Sequence, residues 1–167
     1  MRRIGSSRDP DFDRSAPPTR NARELLLYVE DDDSNWQVAE LRLSSAYDLL
    51  RAASSAEACR TVQARGTELS AILMDIELRG SELSGVELTK VIRGKRAATE
   101  LPAYARDLPT LPHTPIIFVT AHGAKYSEAQ LLLAGGDKVI AKPVDFGALS
   151  LALTQMHLMR ATRQKRR

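Results

Sequence analysis

Five short apolar runs recur along the chain: Leu25–Val29, a weaker stretch around Leu49-Leu50, Ala71–Met74, Ile116–Val119 and Val139–Ala141. They are continuous rather than alternating, the pattern of strands buried on both faces. Helical signals separate them. Ser34/Gln37, Ser54/Glu57, Ser84/Glu87 and Ser127/Gln130 each have the spacing of a capping box, in which the two side chains satisfy orphan amides at a helix start. Leu88, Val91 and Ile92 share one helix face, as do Phe146, Leu149, Leu153 and Met156. Asp145 is placed to cap the last helix, and Gly135-Gly136 reads as a helix stop. The predicted order is β-α repeated five times, which implies a parallel sheet covered by helices with right-handed crossovers. One stretch breaks the rhythm. Gly94–Thr114, with Pro102, Tyr104, Pro109, Pro112 and His113, is a long connection before the fourth strand. It reads as a tolerated insertion rather than a partner surface.

Composition sets the outer limits. The chain has 167 residues and is 43% hydrophobic, enough for one domain with a sizeable core plus tails. Residues 1–23, rich in Ser, Arg, Asp and Pro, are expected to be a flexible basic tail, residues 24–159 the domain, and residues 160–167 a second basic tail. The net charge of +3 comes from these ends: the first carries +3 and the last +5, leaving −5 for the body. The tails are expected to be solvated ends; a nucleic-acid binder acting through them alone is a rival with steep salt dependence. No apolar run approaches the ~20 residues of a membrane span, and no apolar segment follows Met1-Arg2-Arg3. The single Cys59 excludes an internal disulfide framework and a multi-cysteine zinc site, and with three scattered histidines transition-metal chemistry is not expected. Cys59, beside Ala58 and Val62, is expected in the core, and His113 and His157 at the surface. A cytoplasmic location is the expectation.

In open parallel sheets, ligands sit beyond the carboxyl ends of the strands. Glu30, Asp31, Asp32 and Asp33 follow the first run, Asp75 the third, Thr120-Ala121 the fourth and Lys142-Pro143 the fifth. These stations converge if the first, third, fourth and fifth strands are neighbours. Carboxylates about 4 Å apart repel by about 4 kcal/mol at an effective dielectric near 20, so such a cluster needs cations. Oxygen ligands without His or Cys favour Mg²⁺. An aspartate beside that ion has the chemistry to attack a phosphoryl group and form an acyl phosphate, with a lysine and a hydroxyl to neutralise and hold the transferred group. Asp32 or Asp33 is expected to serve helix entry. Trp36 is expected at the rim, close to the acid pair.

Residues 25–159 closely resemble the receiver domain of two-component response regulators. The motifs that carry the resemblance are Leu27-Tyr28-Val29-Glu30-Asp31-Asp32, Ile72-Leu73-Met74-Asp75-Ile76, Phe118-Val119-Thr120-Ala121 and Ala141-Lys142-Pro143-Val144. The resemblance implies a flavodoxin-like, doubly wound α/β fold with five parallel strands in order 2-1-3-4-5 and five helices. It implies that Asp75 is the phosphoacceptor, that Glu30 and Asp31 position Mg²⁺, and that Glu77 offers its backbone carbonyl to the metal. Thr120 matches the mobile hydroxyl, and Lys142 the ammonium that pairs with the phosphoryl group. The Lys142-Pro143 peptide is cis in the family. The implied partners are a sensor histidine kinase or phosphotransfer protein, and a downstream protein engaged through the face of the fourth helix, fifth strand and fifth helix. The reading is of a stand-alone switch with neither an output domain nor a folded nucleic-acid reader. The family usually has an aromatic where Val139 stands, and a proline where Arg79 stands. The loop from Asp75 to Gly85 is about two residues longer than usual, and Glu77 and His122 occupy positions that tune hydrolysis. A phosphorylation-independent pseudo-receiver module is the alternative. A Mg²⁺-dependent hydrolase lacks its usual second catalytic acid, because Glu77 stands there.

Overall fold

The structure, a computed structural model, describes residues 23–121 and 125–164. The expected tail over residues 1–22, His122 and the last three residues of the expected C-terminal tail lie outside the described residues. The elements follow the predicted alternation: β1 (Glu24–Val29), α1 (Asp33–Leu43), β2 (Tyr47–Ala52), α2 (Ser55–Arg65), β3 (Leu69–Asp75), α3 (Gly85–Ile92), β4 (Ile116–Thr120), α4 (Glu128–Ala134), β5 (Lys138–Ala141) and α5 (Phe146–Gln164). All strand pairs are parallel and the sheet order is β2-β1-β3-β4-β5, the flavodoxin-like order expected.

Successive strand residues point to opposite faces, so each continuous apolar run feeds two cores. Leu25, Leu27 and Val29 of β1 join Ile72, Met74, Ile116 and Phe118 on the face covered by α2, α3 and α4. Leu26 and Tyr28 join Ala71, Leu73, Ile117 and Val119 on the face covered by α1 and α5. Leu88, Val91 and Ile92 are buried as their spacing predicts, and so are Leu149 and Leu153, with Phe146 and Met156 packed alongside. Cys59 is buried and free, and burial pushes its thiol up to about 11.

The helix starts follow the serine signals with two corrections. Ser84 and Ser127 form complete capping boxes with Glu87 and Gln130. Ser54 caps α2 by accepting from Glu57 N–H, but the Glu57 carboxylate accepts instead from Ala53 N–H at 2.8 Å. Ser34 is not a cap. Asp32 takes that place, accepting from Asn35 N–H at 2.9 Å, because an aspartate two residues earlier satisfies the first turn before Ser34 can. Asp145 caps α5 through Gly147 and Ala148 N–H, and α5 runs to Gln164, past the domain boundary expected at residue 159. Gly135, at φ 121°, ends α4.

The connection 94–114 packs back onto the domain. Two short 3-10 turns, Ala98–Glu100 and Ala103–Ala105, fold it back onto α2. Leu101, Ala105 and Leu111 are buried in the first core, and Tyr104 Oη lies 2.8 Å from Ser55 Oγ. Arg93 stitches its far end in place. The guanidinium, 8% exposed, donates to Leu111 O, to Gly135 O at 2.9 Å and to Asp137 Oδ2 at 2.8 Å. Asp137 Oδ2 also accepts Ile116 N–H at the start of β4. Arg93→Ala is expected to lower unfolding free energy by about 2 kcal/mol, since it removes a donor from two carbonyls at once and loses the charge-assisted bond to Asp137. Urea denaturation checks this; a loss under about 1 kcal/mol, the worth of an exposed pair, would refute the clasp by the buried guanidinium.

Candidate functional site

The carboxyl ends of β1, β3, β4 and β5 meet at one edge of the sheet because the order places β3 between β1 and β4. Glu30 immediately follows β1 and is fully buried, at 0% exposure. A buried carboxylate survives only with donors on its oxygens. Glu30 has them. Oε1 accepts from Asp32 N–H at 3.1 Å and from Asn35 Nδ2 at 3.3 Å. Oε2 accepts from Tyr28 Oη at 3.0 Å and from Lys142 Nζ at 2.8 Å. The same ammonium donates to Asp75 Oδ2 at 2.7 Å. Lys142 therefore bridges the ends of β1 and β3 from the end of β5. Its own N–H donates to Thr120 O at 2.6 Å, and the following peptide to Pro143 is cis.

Asp75 ends β3 with its second oxygen accepting from Glu77 N–H at 3.4 Å. Behind it, α3 begins in contact with the strand. A Cβ on Gly85 would lie 1.8 Å from Asp75 O, so only glycine lets the helix start this close. Gly85 N–H donates to Ile76 O at 2.9 Å and ties the helix to the loop.

Electrostatics follow from this packing. Burial pushes the Asp75 carboxyl up; Lys142 pulls it back, the Glu30 charge adds to the rise, and the net shift is upward. Burial alone would depress the Lys142 ammonium, but its bonds to Asp75 and Glu30 outweigh this and raise it. Burial, reinforced by the Glu30 charge, raises the Tyr28 phenol, which stays a donor. Bonds from the backbone of Asn35 and then Ser34, with Arg79, hold Asp32 below the usual carboxylate range.

The sequence-predicted residues are brought together. Glu30, Asp31 and Asp75 each present an oxygen within 4.8 Å of the others. These three, with Glu77, Thr120 and Lys142, line one open cleft. Glu77 itself is exposed. The Thr120 hydroxyl donates to Ala121 O at 3.2 Å. Trp36 is not among the cleft's lining residues; it tilts against the Tyr28 ring at 6.5 Å and lies under the Arg51 guanidinium. Val139 packs against the first core, opposite Phe118 on β4.

Three participants were not read from the sequence. Tyr28 shares a strand face with Glu30, which period-two spacing could have revealed. Asn35 lies in the first turn of α1, facing the same carboxylate. Arg51 leaves no local signal: β2 pairs it with Tyr28, and it donates to Glu30 O and Asp31 O, both at 3.2 Å. It also pairs with Asp33 at 2.7 Å, so the loop holding the acids is pinned from the neighbouring strand.

The family model of the response regulator receiver domain matches residues 26–154. The chain belongs to that family. No curated protein matches it in sequence. Solved structures similar to this receiver include a putative response regulator from Chloroflexus aurantiacus, 28% identical, covering 81% of this chain and 98% of that one with a TM-score of 0.63. A response regulator receiver domain protein from Clostridium thermocellum is 20% identical and covers 83% of this chain and 98% of that one, with a TM-score of 0.68. NtrX from Brucella abortus is 19% identical at a TM-score of 0.68; the alignment covers 86% of this chain but 28% of NtrX, so this chain spans well under a third of that protein.

Two expectations follow for the receiver. A carboxyl whose folded pKa exceeds its unfolded one favours folding only while protonated; that contribution is present below about pH 3.9 and is lost as pH rises through the raised value. Asp75→Asn is therefore expected to melt higher than wild type at pH 7 in chelator, by a margin that shrinks as pH falls toward about 4. A margin independent of pH in thermal scans would contradict this. Gly85→Ala is expected to cost about 2 kcal/mol or more, because the new methyl must push α3 off the end of β3. Equilibrium unfolding at wild-type stability would disprove the close contact.

Proposed function

We propose that this receiver is a phosphorylation switch in which Asp75 accepts a phosphoryl group from a sensor histidine kinase or phosphotransfer protein. The observation that supports it most is the Lys142 ammonium shared between Glu30 and Asp75, with Asp31 within 4.8 Å of both acids. That set puts a nucleophilic carboxylate beside a fixed cation and an oxygen-only ligand cluster.

The donor set fits Mg²⁺: three carboxylates with neither imidazole nor thiolate. Glu30 and Asp31 would hold the ion with Asp75 and the Glu77 carbonyl, and when bound it would neutralise charge on the phosphoryl oxygens. The remaining work belongs to the chain. An Asp75 oxygen forms the new P–O bond in line with the donor, whose bond to phosphorus breaks with its electron pair leaving on the donor. Lys142 stays paired with the anionic site, and Thr120 turns its hydroxyl from Ala121 O to a phosphoryl oxygen. The added charge of about −2 repacks the face formed by α4, β5 and α5, which engages a downstream protein. We place this switch in the cytoplasm. No helix among the described residues is long and apolar enough to cross a membrane.

One observation favours the second reading, a pseudo-receiver that works without phosphate: Val139 stands where the family has the aromatic that follows the mobile hydroxyl. A single experiment separates the two. With Mg²⁺ and a small phosphodonor, wild type is expected to gain one acid-stable, base-labile phosphoryl group by intact mass spectrometry, and Asp75→Asn none. Equal labelling of both proteins, or of neither, would defeat the proposal.

A further inference from the structure

Each carboxylate of the ligand cluster already has a cation. Lys142 serves Glu30 and Asp75. Asp31 is served by Arg79, whose Nε lies 2.8 Å from Asp31 Oδ2; the Arg79 backbone N–H reaches the same oxygen at 3.3 Å. The guanidinium also spans to Asp32 Oδ2 at 3.3 Å, so it covers both acids that follow Glu30. Arg79 sits in the longer loop between β3 and α3, at the position where the sequence departs from the family's proline.

This loop presents the guanidinium on a fixed turn. Leu78 and Leu83 are buried on either side of it, Ser81 N–H closes a turn onto Leu78 O at 3.2 Å, and Gly80 takes a φ of 71°. The geometry is therefore anchored at both ends although the arginine side chain is 74% exposed. A guanidinium and a divalent cation on one carboxylate repel, and Asp31 is the least buried member of the ligand cluster.

We infer that Arg79 is a built-in competitor for the metal: it neutralises Asp31 and Asp32 in the metal-free receiver, a divalent cation enters only as it withdraws, and it thereby sets the Mg²⁺ affinity of the site. The inference rests on the reading of Glu30, Asp31 and Asp75 as a cation site. Arginine forks across two carboxylates in a way lysine does not, so charge and geometry both contribute.

The test is calorimetric titration of Mg²⁺ into wild type, Arg79→Ala and Arg79→Lys in the full chain. An exposed ion pair is worth up to about fivefold in an equilibrium, so Arg79→Ala is expected to bind Mg²⁺ about fivefold more tightly, with Arg79→Lys between the two. The gap is expected to narrow with added salt, which screens the guanidinium. A second readout is independent of affinity. The Arg79 Nε–H resonance of wild type is expected to move toward its free position on Mg²⁺ addition and to stay put in chelator. Equal affinity in all three proteins, or weaker binding by Arg79→Ala, overturns the inference while leaving the metal site standing. Heat of binding in none of them overturns the metal-site reading, and the inference falls with it.

Discussion

One ammonium between two carboxylates organises this molecule's functional edge. Glu30 is wholly removed from water, a state that an ionised carboxylate tolerates only when every oxygen is met by a donor. Lys142 meets it and at the same time reaches Asp75, so the ends of β1, β3 and β5 cannot drift apart without exposing or orphaning a charge. The arrangement is asymmetric in burial. Both acids line the cleft, but Glu30 lies deeper, its oxygens taken by Tyr28, Asn35, the Asp32 amide and Lys142, whereas among the described residues Asp75 accepts only from Lys142 and the Glu77 amide. The acid with four donors is held as a fixed charge, and the one with two is left to react.

The rest of the fold keeps that edge rigid from below. Two cores grip each central strand from opposite faces, and α3 starts in van der Waals contact with the backbone of Asp75. Arg51 ties the acid-bearing loop to β2, outside the reacting strands. The acids are thus positioned by backbone held on three sides, and the parts free to respond are the Thr120 and Arg79 side chains. Charge in the site is balanced by side chains from two different loops, one half-buried and one exposed, which gives the two cations different roles.

Much of this was legible in the order of residues. Continuous apolar runs announced strands covered on both sides, and the five chemistry-bearing positions announced themselves by following those runs. What stayed hidden had physical reasons. Arg51 acts across a strand pair whose register has no local signature. Ser34 carried the right spacing for a cap but lost to Asp32, because capping is decided by which oxygen reaches the first free amides. Arg79 was visible as a departure from the family pattern, yet its partner lies 48 residues away and only the sheet order brings them together. The packing of connection 94–114 is hidden for a related reason: its apolar residues are spaced too irregularly to show a face, although Leu101, Ala105 and Leu111 all end in the core.

That connection has a consequence for how the domain can be recombined. Tyr104 on Ser55, Leu111 against Gly66 and the Arg93 clasp make it the outer wall of α2. Trimming it to the length of a simple turn, as in grafting a module from a shorter relative, would uncover the core surface that Leu101, Ala105 and Leu111 now cover beside Ala58, Cys59 and Val62 of α2. The segment is better treated as an extra rib of the scaffold, inherited whole or not at all.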